Sequence, residues 1–444
     1  MKRLLAGAVC AAAVSVALPG ASAAAAQDPI SPRRAEAAAG DTLTLTLPEA
    51  QRLAVRRNPA FLAERQEAAI ARGRLRQARL PAYNPQASVE LPGAGGGGGT
   101  DTYEAGLTQE FEIAGQRGLR ARAAGQGVRR ADAVVGDAAR LAVADASEAF
   151  YSALAARRRL RLALEVSDVS ERLVGAVRIQ LREGEISALE ANLAEIEAGR
   201  ARARVLAARR EAAEAELELR RRTGLPPEQP VRIADDLPAA PDGASLRADS
   251  LAALALARRP DLAAREAAAQ EAATLGTLAR REAVPNLQVG ALARREDDGG
   301  GPRFGVGVGV ALPVLNRNQG RVAEQRARTE QAEYETRAAE LRVRSEVAAA
   351  VLAYRAASEE EAVYEASVLQ PGRENRALLE TAFRAGKIGL PTLLLVRNQL
   401  LDAELGYWES WLARRRALVA LQAATADLPV AEAGPTEPTR DAQP

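Results

Sequence analysis

The sequence predicts a mainly α-helical protein with a small β part, built from two internal repeats. Three observations predict it. The composition is rich in Ala, Arg, Glu and Leu and holds only 3% aromatic residues, which suits long, closely packed helices better than a large aromatic core. A proline-free stretch runs from Pro92 to Pro226. Short motifs recur at an offset of about 200 residues, far longer than a solenoid period.

Composition also excludes most enzyme chemistry. Histidine is absent and Cys10 is the only cysteine among 444 residues, so Ser-His-Asp triads, Cys-His nucleophiles, CxxC redox pairs and His/Cys zinc sites cannot be built. An enzyme using paired carboxylates alone lacks a compact pocket in this pattern. No catalytic residue, metal ligand or cofactor is expected. The 60 basic and 58 acidic side chains nearly balance, and Arg157-Arg158-Arg159, Arg220-Arg221-Arg222 and Arg414-Arg415-Arg416 have glutamates nearby. They are expected as solvated or ion-paired helix faces, with no nucleic-acid partner.

Lys2-Arg3, an apolar stretch from Leu4 to Leu18 and the run Ala21 to Ala26 form a secretory signal peptide, residues 1–26. Cleavage after Ala23 or Ala26 removes Cys10; lipidation of Cys10 is the weaker alternative. A flexible segment, 27–42, follows. Beyond the signal no apolar run approaches the roughly 20 residues of a spanning helix.

The first repeat is expected over 43–226 and the second over 245–429, with a linker at 227–244 and a disordered tail at 430–444. Arg57-Asn58-Pro59 in the first corresponds to Arg258-Arg259-Pro260 in the second, and Gly224-Leu225-Pro226 to Asp427-Leu428-Pro429. Each repeat reads short helices, strand pair, very long helix, glycine turn, long helix. Helical hairpins are expected over about 119–222 and 321–426, turning at Gly184 and Gly386, because glycine takes the left-handed cap conformation without strain. The first arm alone is about 95 Å long at helical rise. Pro371 is expected to kink the second.

Strands are expected at about 86–92, 103–113, 286–295 and 304–312. Phe304 to Leu312 alternates large apolar with small residues; Tyr103, Ala105, Leu107, Phe111 and Ile113 make a similar face, with Gln109 as the exception. The pairs are joined by the loops Gly93–Gly99 and Asp297–Pro302. Apolar-out, polar-in strands of about ten residues are the pattern of an outer-membrane barrel. Four strands cannot close, and an open edge in lipid leaves backbone groups unpaired, so closure requires several chains. The long helices also need neighbours to cover their apolar stripes.

This arrangement resembles the outer membrane efflux protein family typified by TolC, and within it the CzcC-type outer-membrane components of tripartite efflux systems. The resemblance is carried, in order, by Thr46-Leu47-Pro48-Glu49-Ala50, Arg57-Asn58-Pro59, Arg259-Pro260-Asp261-Leu262, Leu312-Pro313-Val314-Leu315-Asn316 and Phe383-Arg384-Ala385-Gly386. It implies a homotrimer in outer-membrane lipid, with a 12-stranded β-barrel, four strands per protomer, continuous with a periplasmic α-barrel. It implies a periplasmic adaptor (membrane fusion) protein and an inner-membrane transporter of the RND type as partners.

The resemblance places adaptor docking at the tips, Arg182, Glu183, Gly184, Glu185, Ile186 and Ser187, and Arg384, Ala385, Gly386, Lys387, Ile388 and Gly389. It places a periplasmic gate at Glu190, where relatives carry carboxylate rings; the second repeat departs with Thr392 and the apolar Leu395. The expected function is a passive exit duct for metal cations or small toxic compounds. The alternative is a periplasmic coiled-coil adaptor or scaffold that never enters the membrane.

Overall fold

The structure is a computed structural model describing residues 42–91, 102–235, 237, 240–296 and 301–428, all within one compact unit that begins at Thr42. The signal peptide with Cys10, the segment 27–41, the glycine loop 93–99, residues 297–300 and the tail 430–444 lie outside the described residues.

The first repeat opens with β1 (Leu43–Leu45), α1 (Leu47–Arg56), α2 (Pro59–Glu64) and α3 (Gln66–Ala78). It continues with β2 (Gln86–Glu90), β3 (Thr102–Phe111), α4 (Gln116–Arg182) and α5 (Ala188–Thr223). The second repeats the order with β4 (Val231–Ile233), α6 (Ala248–Arg258), α7 (Pro260–Arg281), β5 (Leu287–Glu296) and β6 (Arg303–Val310). Its hairpin is α8 (Gln319–Tyr364), a π-turn (Glu365–Leu369), α9 (Gln370–Arg384) and α10 (Leu390–Thr425).

Local chemistry sets the boundaries. Thr46 and Glu49 cap α1 reciprocally, side chain to backbone in both directions. The Asn58 side chain caps α2, whose first residue is Pro59. α4 runs 67 residues without a break, about 100 Å at helical rise. The second arm, expected to kink at Pro371, carries a π-turn just before it, because proline supplies no N–H and its ring collides with the carbonyl four residues back, at Ser367; widening the helix there relieves both.

The segment 227–244, expected as a linker, holds β4, which pairs in parallel with β1 through Leu43↔Val231 and Leu45↔Ile233. Their alternation is short but aims Leu45, Val231 and Ile233 into the largest core, with Phe150, Tyr151, Leu154, Leu219 and Trp411. Both tryptophans join this region, Tyr151, Trp411, Trp408 and Tyr407 meeting edge to face in sequence. A second core joins α6, α8 and α10 around Tyr354, whose hydroxyl donates to the Pro241 carbonyl at 2.5 Å. Buried alanines, such as Ala149, Ala153 and Ala155 of the first core and Ala191, Ala194 and Ala198 near the tips, let helices approach closely.

The recurring motifs have a common structural use: the turn between the short helices docks on the end of the return helix. In the first repeat Asn58 Nδ2 donates to the Arg222 carbonyl, and Gly224 touches the chain at Arg57. Gly224 has φ +68°, and a Cβ there would stand 2.3 Å from the Arg57 carbonyl oxygen. In the second repeat Ala426 takes the left-handed conformation, φ 54°, and Arg259 reaches the Ala424 carbonyl at 3.5 Å. Arg259 is only 5% exposed and pairs with Asp261 and Glu346, at 2.8 and 2.5 Å. Burial disfavours the charged form of Asp261, but the hydrogen bonds and charge of Arg259 outweigh it and hold the carboxyl below the usual carboxylate range.

Two outcomes follow from this packing. Gly224→Ala should lower unfolding stability by about 2–4 kcal/mol in chemical denaturation, since neither the backbone angle nor the Arg57 contact admits a side chain. Arg221 and Arg222 hold the Glu218 carboxyl down from 4.5 to about 2. Glu218 and Asp261 bind their protons less tightly folded than unfolded, so their contribution is fully present above the ordinary carboxylate range and lost as pH falls through it toward the folded values. A melting series from pH 6 to pH 2 should show that acid-side decline, reduced in Glu218→Gln and Asp261→Asn.

Candidate functional site

Two regions carry the features expected of a site: the four-stranded sheet and the paired hairpin tips. The sheet has the order β2-β3-β5-β6, every neighbour antiparallel, so the hairpin of one repeat lies beside that of the other. The join is a ten-residue register from Thr102↔Glu296 to Phe111↔Leu287.

Register assigns each side chain a face. Val89, Ala105, Ala293 and Phe304 form one row, Ala87, Leu107, Ala291 and Val306 the next, and Phe111, Leu287 and Val310 a third on the same side. That side is apolar yet uncovered: Phe304 is 82% and Val306 81% exposed. The opposite side carries Gln86, Thr108, Gly290 and Gly307 in one row, Ser88, Gly106, Leu292 and Gly305 in another, and Glu90, Glu104, Arg294 and Arg303 in a third. Arg294 donates to Glu104 at 2.9 Å. Leu292 is the apolar exception there, and Gly305 makes room for it, since a Cβ would approach Leu292 to 3.3 Å. Gln109 and Arg295, which lies opposite Tyr103, are polar exceptions on the apolar side; Gln109 donates its amide to the carbonyls of Tyr83 and Glu110. Among the described residues, β2 and β6 each lack a strand on their outer edge.

The two tips share one hydrogen-bond pattern. Gly184 N–H donates to Leu181 and Glu185 N–H to Gln180; Gly386 N–H donates to Phe383 and Lys387 N–H to Ala382. Gly184 has φ +78° and Gly386 φ +69°, with open space where a Cβ would stand. Of the expected docking residues, Arg182, Glu183, Gly184, Glu185 and Ser187, with Arg384, Ala385, Gly386, Lys387 and Gly389, are exposed. Ile186 and Ile388 turn inward onto a core shared by both hairpins, with Val174, Val177, Ala191, Ala194, Leu390, Leu393 and Leu394. Cross-hairpin bonds reinforce it: Arg397 donates to the Val166 carbonyl at 3.0 Å and Asn398 to Glu197 at 3.2 Å.

Glu190 has a structural task beside any role at a gate. Its carboxylate accepts from the Ser187 N–H and hydroxyl, both at 3.0 Å, closing a capping box on α5. Those bonds hold its pKa below the usual carboxylate range. The sequence signal, Ser followed three residues later by Glu, recurs at Thr46 and Glu49, and neither pair is singled out by the sequence reading above. In the second hairpin Gly389 and Thr392 replace the pair, and α10 starts without a side-chain cap. Thr392 and Leu395 are exposed, while the adjacent Leu393 and Leu394 are core. The buried Arg259 network is likewise absent from the sequence reading; its one local sign is an arginine directly before Pro260.

No group of three or more metal-ligating side chains occurs among the described residues. No described helix is long and apolar enough to cross a membrane.

Comparison with known proteins adds sequence and structural relatives. The profile of the outer membrane efflux protein family matches residues 251–427. The cobalt-zinc-cadmium resistance protein CzcC of Cupriavidus metallidurans is 27% identical over 221 residues, which span 50% of this chain and 52% of that one, about half its length. Among solved structures, the CmeC outer membrane channel of Campylobacter jejuni superposes with a TM-score of 0.73 at 14% identity, covering 85% of each chain. A membrane protein of Pseudomonas aeruginosa gives 0.72 at 20% identity, covering 85% of this chain and 90% of that one. At these identities the likeness establishes the fold, mainly helical with a small β part.

Ser187→Ala should remove the cap on α5 and cost about 1 kcal/mol in denaturation. Hydrogen exchange in the first turn of α5 should speed up while the Gly184 turn keeps its protection.

Proposed function

We propose that this chain is a member of the outer membrane efflux protein family, whose profile matches residues 251–427, and forms a passive duct through the outer membrane, the exit of a tripartite efflux pump. The observation that carries this reading is the two-faced sheet: apolar and uncovered on one side, polar or glycine-lined on the other, open at both edges. In lipid the apolar side is favourable and the edges are not, each unpaired backbone group costing several kcal/mol. Three successive antiparallel pairings leave β2 and β6 running in opposite directions, so β6 of one protomer set beside β2 of the next continues the alternation. Three copies then close a barrel of 12 strands, the polar face lining its bore.

The helices support the same assembly. Leu189, Ile196, Leu206 and Leu217 stand exposed along α5, and Tyr334, Leu341, Leu352 and Val363 along α8. Spacings of seven and eleven residues keep the α8 set on one helix face, while the α5 set, spaced seven, ten and eleven, spreads over about a quarter turn; a neighbouring protomer's helices would cover both. The helical part lies in the periplasm, with the tips farthest from the membrane.

In this duct the segments Arg182–Ser187 and Arg384–Gly389 receive a periplasmic adaptor coupled to an inner-membrane transporter of the RND type. Glu190, Thr392 and Leu395 narrow the closed end; adaptor binding favours the splayed state through its contacts with the tips. The cargo is a metal cation or a small toxic compound, the former in line with the name of CzcC. The chain itself needs no catalytic group.

Purified processed protein should require detergent for extraction and form ion-conducting pores in planar bilayers. Cysteines scanned along β2 and β6 should crosslink into trimers on denaturing gels. A water-soluble monomer without conductance would instead support a periplasmic scaffold. Replacing Gly184 and Gly386 by valine should impair export while leaving the trimer intact, because a β-branched residue is strained at positive φ.

A further inference from the structure

We propose that Glu365–Gly372 is a hinge, on which α9 and the second tip swing as a short unit while α8 above it stays in place. The proposal rests on the duct reading, which requires an end that opens, but the observations behind it are local to one hairpin.

The first is the break itself. The π-turn Glu365–Leu369 leads directly into Pro371 and Gly372, so the helix loses a backbone donor and gains a residue of weak helical preference within one turn. π-Turns inside long helices recur where helices must deform. α4, the counterpart in the first hairpin, crosses the same distance from its tip with 67 helical residues and no proline.

The second is the contrast in anchoring on either side of the break. Above it, Glu361 is 5% exposed and accepts from Arg414 at 2.7 Å. The Tyr364 ring lies across α10 at Gly406, where a Cβ would come within 2.7 Å of the Tyr364 hydroxyl. Gly406 thus seats Tyr364 as a fixed pivot. Below the break, none of the described side chains of α9 is buried; Leu379 and Phe383 are the partly buried contacts it gives the tip core.

The third is space. Between α4, α9 and α10 runs a groove of about 480 Å³, with Val166, Val169 and Leu173 of α4 among its lining residues and Arg376 and Glu404 paired on the opposite side. α9, tied below the break by the Arg376–Glu404 pair and the partly buried Leu379 and Phe383, has an apolar groove beside it and so two arrangements: standing off α4 as in this structure, or closed onto Val169 and Leu173. A swing between them moves the second tip while the upper arm keeps its packing, and differs from a twist of the whole hairpin.

Hydrogen exchange of the full chain in lipid nanodiscs tests the hinge directly. Amides of 365–384 should exchange about tenfold faster than those of 166–182 in the first hairpin. In Pro371→Ala/Gly372→Ala, where the Gly372 methyl meets Leu400 at an ordinary 3.4 Å, the difference should shrink to about twofold or less. Spin labels at the exposed Ala353, off the α8 stripe, and at Leu378, placed on a minority of protomers, should give a broad or two-peaked distance distribution that narrows in the double variant. Equal exchange in the two arms, or one narrow distance in the parent protein, would overturn the hinge. Pores in bilayers with equal exchange would sink the hinge alone; an intact exchange difference without pores would sink the duct and leave the hinge standing.

Discussion

A sheet that is apolar and uncovered on one side, polar on the other and, among the described residues, unpaired at both edges is the constraint on which the rest of this molecule depends. Water penalises Phe304, Val306 and Leu107; lipid penalises the free N–H and C=O groups of β2 and β6. A closed wall built from several chains removes both penalties at once. The alternation of strand direction makes such closure possible without a change of topology, because four strands per chain leave the two edges antiparallel to one another.

Duplication gives the sheet its even strand number and the helices their pairing. The same device holds each repeat together: a turn between short helices lies on the C-terminus of the return helix. The first repeat uses Gly224 against Arg57, with Asn58 bound to Arg222; the second uses Ala426, with Arg259 reaching Ala424. The copies have diverged in chemistry while keeping geometry. A neutral amide serves one junction, and a buried arginine held by two carboxylates serves the other. Removing that arginine leaves Asp261 and Glu346 without their shared cation, which makes the second junction the more sensitive to substitution at this position.

Divergence is greatest near the tips. Both turn through glycine with the same hydrogen bonds, yet α5 begins with a reciprocal Ser187–Glu190 cap while α10 begins with Pro391 and no side-chain cap. One arm is an unbroken helix and the other is interrupted by a π-turn. Two hairpins of nearly equal length therefore differ in stiffness where they share a core, so displacement of one against the other has a preferred location.

Long-period features were legible in the residues alone. Helical periodicity, the proline-free first hairpin, glycine turns and the alternation of Phe304 to Leu312 are properties of neighbours in the chain, and they determine helices, tips and the two faces of each strand. The resemblance of the whole order to a family of outer-membrane proteins was equally visible. What only the tertiary structure decided involves residues far apart in sequence. These are the parallel pairing of β1 with β4 inside a supposed linker, the union of both strand pairs through β3 and β5, the burial of Arg259, and the meeting of Arg57 with Gly224. The capping role of Glu190 and the π-turn before Pro371 are local, yet each needed backbone geometry to be seen. The physical reason is common to all: periodicity records which way a side chain points along its own element, whereas pairing, burial and strain depend on what another segment brings to meet it.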